Sequence, residues 1–458
     1  MKVDVLVAEI GSTTTVVNAF NDLHTDDPKF IGQGQAPTSV LEGDVRIGVN
    51  GAIDSLKKSM NIDTLEYDEL MATSSAAGGL KMTVHGLVYD MTAKAAREAA
   101  LGAGANIHLV TAGKLRRSDK KKIMEVNPNI ILIAGGVDYG ERDTAIHNAE
   151  IVAAMDLKVP VIYAGNIENH EEIKEIFDEV GKADLLFIVD NVYPKIDILN
   201  VEPTREVIQD VFEKHIIHAP GMEHIHDVVT GHIVPTPGSV MEASKLLKQE
   251  LGDLITLDVG GATTDLHSVT EGSEEVNKIL ITPEPVAKRT VEGDLGVYVN
   301  MKNVVDLIGV ERIARDMELS EDQVNELIDG HQPIPLTDLQ KFFVERLTQE
   351  AVILASHRHA GGFRDLYGGS GKKTIAEGKD LTGIQYIVGT GGALTRLPNR
   401  IEIMRKIALS NKGDKLLPNT ECEILVDNDY IMASLGVLSK EYPQAALRLM
   451  KKSLDLPL

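Results

Sequence analysis

Tryptophan is absent from the 458-residue chain, cysteine occurs once, and aromatic residues make up only 4%. One cysteine, Cys422, excludes an intramolecular disulfide and any thiolate metal cluster built from a single chain. A reducing cytoplasm fits that usage. With so few rings, Ala, Val, Ile and Leu must fill the core. Long apolar runs are missing too: no stretch reaches the ~18 residues needed to span a bilayer. Asp4 interrupts the apolar start of the chain, so Val3–Ile10 reads as a strand rather than a secretory segment. Positive charge is short, with 46 Lys and Arg against 69 Asp and Glu and a net charge of −23. An acidic surface favours solubility and disfavours non-specific binding to nucleic acid or anionic membrane. Neither is expected as a partner.

What is present is ordinary for a globular protein: 43% hydrophobic and 25% charged residues. The length points to two to four domains. Strand Val3–Ile10, the turn Gly11-Ser12-Thr13-Thr14 and strand Val16–Phe20 read as a β-hairpin, not as the strand–loop–helix of a P-loop. Helical spacing follows over Val45–Lys58 and a strand over Leu70–Ser74, ending in the small-residue run Ser74–Leu80. Continuous apolar runs at Ile130–Ala134, Val159–Ala164 and Ala183–Val189 alternate with charged helical stretches near Arg142–Ala154 and Asn169–Val180. That rhythm indicates a parallel sheet. Its strands end in Gly135-Gly136, Gly165-Asn166 and Asp190-Asn191, at the edge where such sheets bind ligands and where turns also need these residues. The expected domains are residues 1–104, an inserted α/β domain over 105–217, and a second lobe over 218–458 whose closing helix, near Tyr430–Ser439, returns to the first lobe.

Three loops carry chemistry. Gly260-Gly261-Ala262-Thr263-Thr264 after Asp258-Val259 echoes Gly11–Thr14 after Glu9-Ile10, which points to a duplicated lobe. Glycine lets backbone approach a phosphate closely, and consecutive N–H and hydroxyl groups donate to its oxygens. A carboxylate just ahead of such a turn can hold Mg²⁺, usually through water. Each turn alone is also a common hairpin. The third loop, Gly389-Thr390-Gly391-Gly392-Ala393, ends a strand at Val388 and opens toward a helix, offering bare backbone to a flat ligand.

In this order the loops resemble those of the sugar kinase, Hsp70 and actin ATPases. Asp258–Asp265 is similar to the second phosphate motif, Glu9–Thr14 to the first, and Gly389–Pro398 to the adenosine motif. Ser74–Leu80 and Asp427–Leu438 stand where that superfamily has its small-residue connecting segments. The resemblance implies an α/β, actin-like (ribonuclease H-like) two-lobed ATPase that binds ATP–Mg²⁺ between its lobes. Asp258, Glu9 and Asp265 would be catalytic. Glu9 and Asp258 would serve the metal. Gly11, Ser12, Thr13, Thr14, Gly260, Gly261, Thr263, Thr264, Glu292, Gly293, Asp294, Gly389, Gly391, Gly392 and Ala393 would bind nucleotide. The superfamily usually has Asp where this chain has Glu9, which bears on rate more than on binding.

Within that superfamily, Arg289–Gly296 and Ser356–Gly362 resemble the MutL/GlmL group, related to hydantoinase and oxoprolinase proteins and unrelated in fold to the mismatch-repair protein of the same name. The group is associated with adenosylcobalamin-dependent mutases such as glutamate mutase. This implies an ATP-driven reactivase or chaperone with the mutase subunits as partners. A small-molecule kinase, a hydantoinase-like amidohydrolase and a nucleotide-binding scaffold are the alternatives. Elsewhere, His215, His218, His224, His226 and His232 cluster without metal-motif spacing and read as a polar segment. Glu292 and Asp294 could join the metal shell or form a plain turn. Arg358 could meet a phosphate or lie on the surface. Lys114–Lys122 reads as a solvated helix face.

Overall fold

The computed structural model describes residues 1–75, 79–216, 219–368 and 371–457. The chain divides into two compact units: Met1–Glu242 with Ala433–Leu449, and Ala243–Met432 with Met450–Leu458.

Unit 1 opens with β1 (Lys2–Ile10), β2 (Thr14–Asn21), β3 (Lys29–Pro37) and β4 (Glu66–Ser74). The first three strands pair antiparallel in sequence, and β4 lies parallel to β1 on its other side. The helix Val45–Ser59 buries Val49, Ala52, Ile53 and Leu56, the positions its 3.6-residue period selects. Asp44 caps it by accepting from the Arg46 amide.

The chain then lays down β5 (Leu80–Gly86), β6 (Ala105–Ala112), β7 (Ile130–Ile133), β8 (Val161–Tyr163) and β9 (Leu186–Ile188). All pair parallel, in the order β6-β5-β7-β8-β9. Ile130 and Leu132 enter one core, Ile131 and Ile133 another. Burial on both faces explains the continuous apolar runs. This sheet begins at Leu80, ahead of the expected Ala105. Strand β5 escapes notice because it alternates Thr and His with apolar residues. Those polar groups are satisfied in place: His85 Nδ1 meets Thr111 Oγ1 at 2.8 Å and Nε2 meets Thr83 Oγ1 at 3.0 Å. Burial holds its imidazole down at about 4, opposed by Asp119. Strand β10 (Ile233–Pro235) then returns to β4, completing the order β10-β4-β1-β2-β3.

Unit 2 contains β11 (Leu254–Val259), β12 (Thr264–Val269), β13 (Ala287–Glu292), β14 (Gly362–Gly368), β15 (Gly371–Glu377), β16 (Tyr386–Thr390) and β17 (Glu423–Val426). Its main sheet has the order β13-β12-β11-β16-β17. Strands β11, β12 and β13 pair antiparallel, and β16 and β17 follow parallel to β11. The topology repeats that of the first sheet, so the duplication echoed by the two turns is real. Strands β14 and β15 form a separate two-stranded hairpin. Unit 2 also carries the helices Met301–Ile308, Val310–Met317 and Glu321–Asp329 before the long helix Asp338–His359. The expected closing helix is Met432–Leu438, followed by a further helix, Pro443–Ser453. Gly436 lies so close to Ser239 that a Cβ there would stand 1.9 Å from its carbonyl oxygen.

The fold is α/β and actin-like, with two ribonuclease H-like sheets and a parallel sheet built into the first unit. No described helix is long and apolar enough to cross a membrane. Aliphatic residues fill the cores as the scarcity of rings requires, with Phe20, Phe177, Phe343 and Tyr163 among the few buried aromatics.

Candidate nucleotide site

In unit 2 the antiparallel register sets Asp258 opposite Asp265 and Val259 opposite Thr264. The intervening loop closes through the Gly260 amide, which donates to the Thr263 carbonyl at 3.0 Å. Two carboxylates face each other across neighbouring strands, an arrangement that is unfavourable without a counter-charge. Asp258 is half-buried by exposed area yet densely surrounded by protein. That desolvation pushes its carboxyl up to about 7, with Asp265 adding to the rise, Arg289 opposing it and Asp427 adding less. Asp265 is 5% exposed and has an ionic partner. Arg289 Nε and Nη2 both reach its Oδ1, at 2.8 and 2.6 Å, while Thr263 Oγ1 donates to Oδ2 at 3.0 Å.

The third loop meets the second within this unit. Gly391 has φ +81°, and a Cβ there would stand 2.3 Å from Asp258 Oδ1 and 2.7 Å from the backbone of Val259. Only glycine combines that backbone conformation with that closeness. A Cβ on Gly389 would strike Met404 Sδ at 2.7 Å, whereas one on Gly392 would meet nothing within 4 Å. Ala393 is buried in the short helix Gly391–Arg396. Thr390 Oγ1 donates to Asp427 Oδ2 at 3.0 Å. Asp427 also accepts from the Ile431 and Met432 amides and from Ser453 Oγ, so it anchors the strand end carrying this loop.

Glu292 and Asp294 are claimed by a side chain. Arg358 donates to Glu292 Oε2 at 2.6 Å and to Asp294 at 2.7 and 2.9 Å. This clasp holds Asp294 below its ordinary range, while burial raises Glu292 despite the same guanidinium. Gly293, between them, gives its carbonyl to Asn300 Nδ2. Arg358 thus organises the turn after β13.

Unit 1 carries the other hairpin. The Gly11 amide donates to the Thr14 carbonyl at 3.0 Å, the same closure as in unit 2. Glu9 pairs in register with Val16, so no second carboxylate faces it. Ser12, Thr13 and Thr14 are exposed, and Thr38 Oγ1 fixes the turn by donating to the Gly11 carbonyl at 2.9 Å.

The roles of Arg289 and Asp427 were not legible in the sequence. Arg289 stands in a recognisable run, but its contact with Asp265 depends on the β12–β13 register. Of the histidine cluster, His224 meets Asp227 and His232 meets Glu213 and Glu441; His218 lies outside the described residues, as do positions 76–78 of the small-residue run. No group of three His, Cys, Asp or Glu able to hold a metal occurs among the described residues. Lys114 and Lys120–Lys122 are exposed around the helix Arg117–Val126, as a solvated face requires.

The family model described as MutL protein matches residues 5–454. Protein MutL of Clostridium tetanomorphum is 34% identical over 463 residues, covering 98% of each chain. Among solved structures, nucleotide-free acetone carboxylase aligns over 95% of this chain and 70% of its own, at 12% identity and TM-score 0.40. The nucleotide-free diol dehydratase-reactivating factor aligns over 96% and 100%, at 10% identity and TM-score 0.38. These two similarities are too distant to bear on activity. The match along nearly the whole sequence is decisive for kinship: the chain belongs to the MutL protein family.

Proposed function

We propose that the chain binds ATP with Mg²⁺ and hydrolyses it as an accessory protein, a reactivase or chaperone, of an adenosylcobalamin-dependent mutase such as glutamate mutase or an aminomutase. The observation carrying the nucleotide reading is the β11–β12 hairpin. It combines a glycine turn, two facing carboxylates and a glycine loop seated directly on Asp258. Phosphoryl transfer asks a protein mainly for positioning and charge stabilisation, and this hairpin offers both. Its backbone amides serve phosphate oxygens, the Thr263 hydroxyl gives its proton to Asp265 and keeps its lone pairs for the metal's water shell, and Asp258 orients water or that shell. Glu9 and the Gly11–Thr14 turn offer the same kinds of group from the first hairpin. The bound Mg²⁺ would neutralise phosphate charge. The bare backbone at Gly392 leaves room for a base or ribose. Membership of the MutL family and the resemblance of the Arg289–Gly296 and Ser356–Gly362 runs support the mutase partner.

Purified protein is assayed for ADP formation alone, with candidate small molecules, and with a mutase carrying inactivated cobalamin. Turnover stimulated by the damaged mutase, with recovery of mutase activity, is the expected result. Substrate-dependent ADP formation that needs no mutase would instead identify a kinase or amidohydrolase and overturn the accessory role.

A further inference from the structure

We infer that Arg289 is a positioning residue of the nucleotide site, a buried cation that fixes the second carboxylate, Asp265, and through it the phosphate-loop hydroxyl of Thr263. The inference rests on the ATP reading above. Arg289 is 1% exposed, among the largest fully buried side chains described. A guanidinium does not give up its proton, so its burial requires a counter-charge. Two of its nitrogens converge on Asp265 Oδ1, and Thr263 Oγ1 takes Oδ2. Both carboxylate oxygens are engaged, so the Asp265 rotamer is set from behind by β13 and in turn sets a hydroxyl in the loop.

The duplicated sheet provides an internal control. By register, Asp265 corresponds to Val16, and the β12–β13 pair His267↔Arg289 corresponds to the β2–β3 pair Asn18↔Gln33. Where the carboxylate is absent, the cation is absent: Gln33 Nε2 donates to Asn18 Oδ1 at 2.8 Å, a neutral contact in the same place. Carboxylate and arginine occur together in one hairpin and are missing together from the other. A general packing need for arginine on the third strand would have placed one in both sheets. His267 adds no second charge beside the guanidinium, because burial, reinforced by Arg289, holds it well below its ordinary value.

The test measures binding of a non-hydrolysable ATP analogue to the full chain by calorimetry, in Mg²⁺ and in EDTA, together with thermal melting. Arg289→Lys keeps the charge but loses the two-pronged geometry. It is expected to fold, to lose ~10–100-fold of the affinity seen with Mg²⁺, and to bind as the wild type does in EDTA. Asp265→Val combined with Arg289→Gln recreates the Val16 and Gln33 pair. It is expected to melt cooperatively while showing no gain in affinity from Mg²⁺, which keeps the test open if the lysine variant fails to fold. Wild-type Mg²⁺ dependence in either folded variant overturns the role of Arg289 and leaves the ATP reading standing. A wild-type chain that binds no analogue in either condition overturns both.

Discussion

The two glycine hairpins share a turn and differ in what backs it. In both, a glycine amide closes the loop onto a threonine carbonyl at 3.0 Å. In unit 2 the turn stands on two carboxylates and a buried arginine; in unit 1 it stands on Glu9, Val16 and neutral amides. A glycine turn of this kind can therefore recur with little demand on its surroundings, because local sequence specifies it. A charged support cannot, since every buried charge needs its partner in register. The demanding electrostatics are concentrated in one hairpin, and the other keeps a single acidic side chain, Glu9, next to its turn.

The largest expected effect comes from forcing the first hairpin to resemble the second. Val16→Asp would place a carboxylate opposite Glu9 with no cation behind it, and is expected to cost ~3–5 kcal/mol of stability in denaturant melts. Adding Gln33→Arg is expected to restore a substantial part, and a double variant no more stable than the single one would break the correspondence of registers. Next, Asp258→Asn is expected to lower ATP turnover by ~100-fold or more with folding intact, and Glu9→Gln by clearly less. Equal losses would erase the asymmetry between the hairpins.

A smaller effect is pH-dependent. The Asp258 carboxyl sits at about 7 in the folded chain against an ordinary 3.8, so between those values the folded state holds more protons than the unfolded one. Its contribution to stability is full below about 4 and is lost as pH rises through 7. The wild type should therefore lose stability relative to Asp258→Asn over that range, as read from paired urea melts, and a constant difference would contradict the raised value. The smallest effect is expected for Arg358→Ala. Its clasp of Glu292 and Asp294 is partly exposed, and such pairs contribute ~1 kcal/mol or less.

Several elements could be read from the chain because their signals are local. The β1–β2 and β11–β12 hairpins follow from apolar runs broken by Gly and Thr, and the helix Val45–Ser59 from its period. Strands β7 and β8 follow from unbroken apolar runs buried on both faces, and β9 from an apolar run that is half-buried. Strand β5 was hidden because its Thr and His are neutralised only by a hydrogen bond from β6 and one another. Glu292 and Asp294 carried no mark of their capture by Arg358, more than sixty residues away.

By itself the sequence determined the repeated turn, the acidic residue ahead of each copy, the glycine loop after Val388 and the resemblance that these make in order. Spacing along the chain was enough, since turn geometry and strand period depend on neighbouring residues. Only the tertiary structure decided that Gly391 lies on Asp258, that Asp265 faces Asp258 while resting on Arg289, and that Val16 and Gln33 stand in the same places without charge. Those facts depend on strand register and on the cost of burying charge, which are settled between residues distant in sequence when the sheet closes.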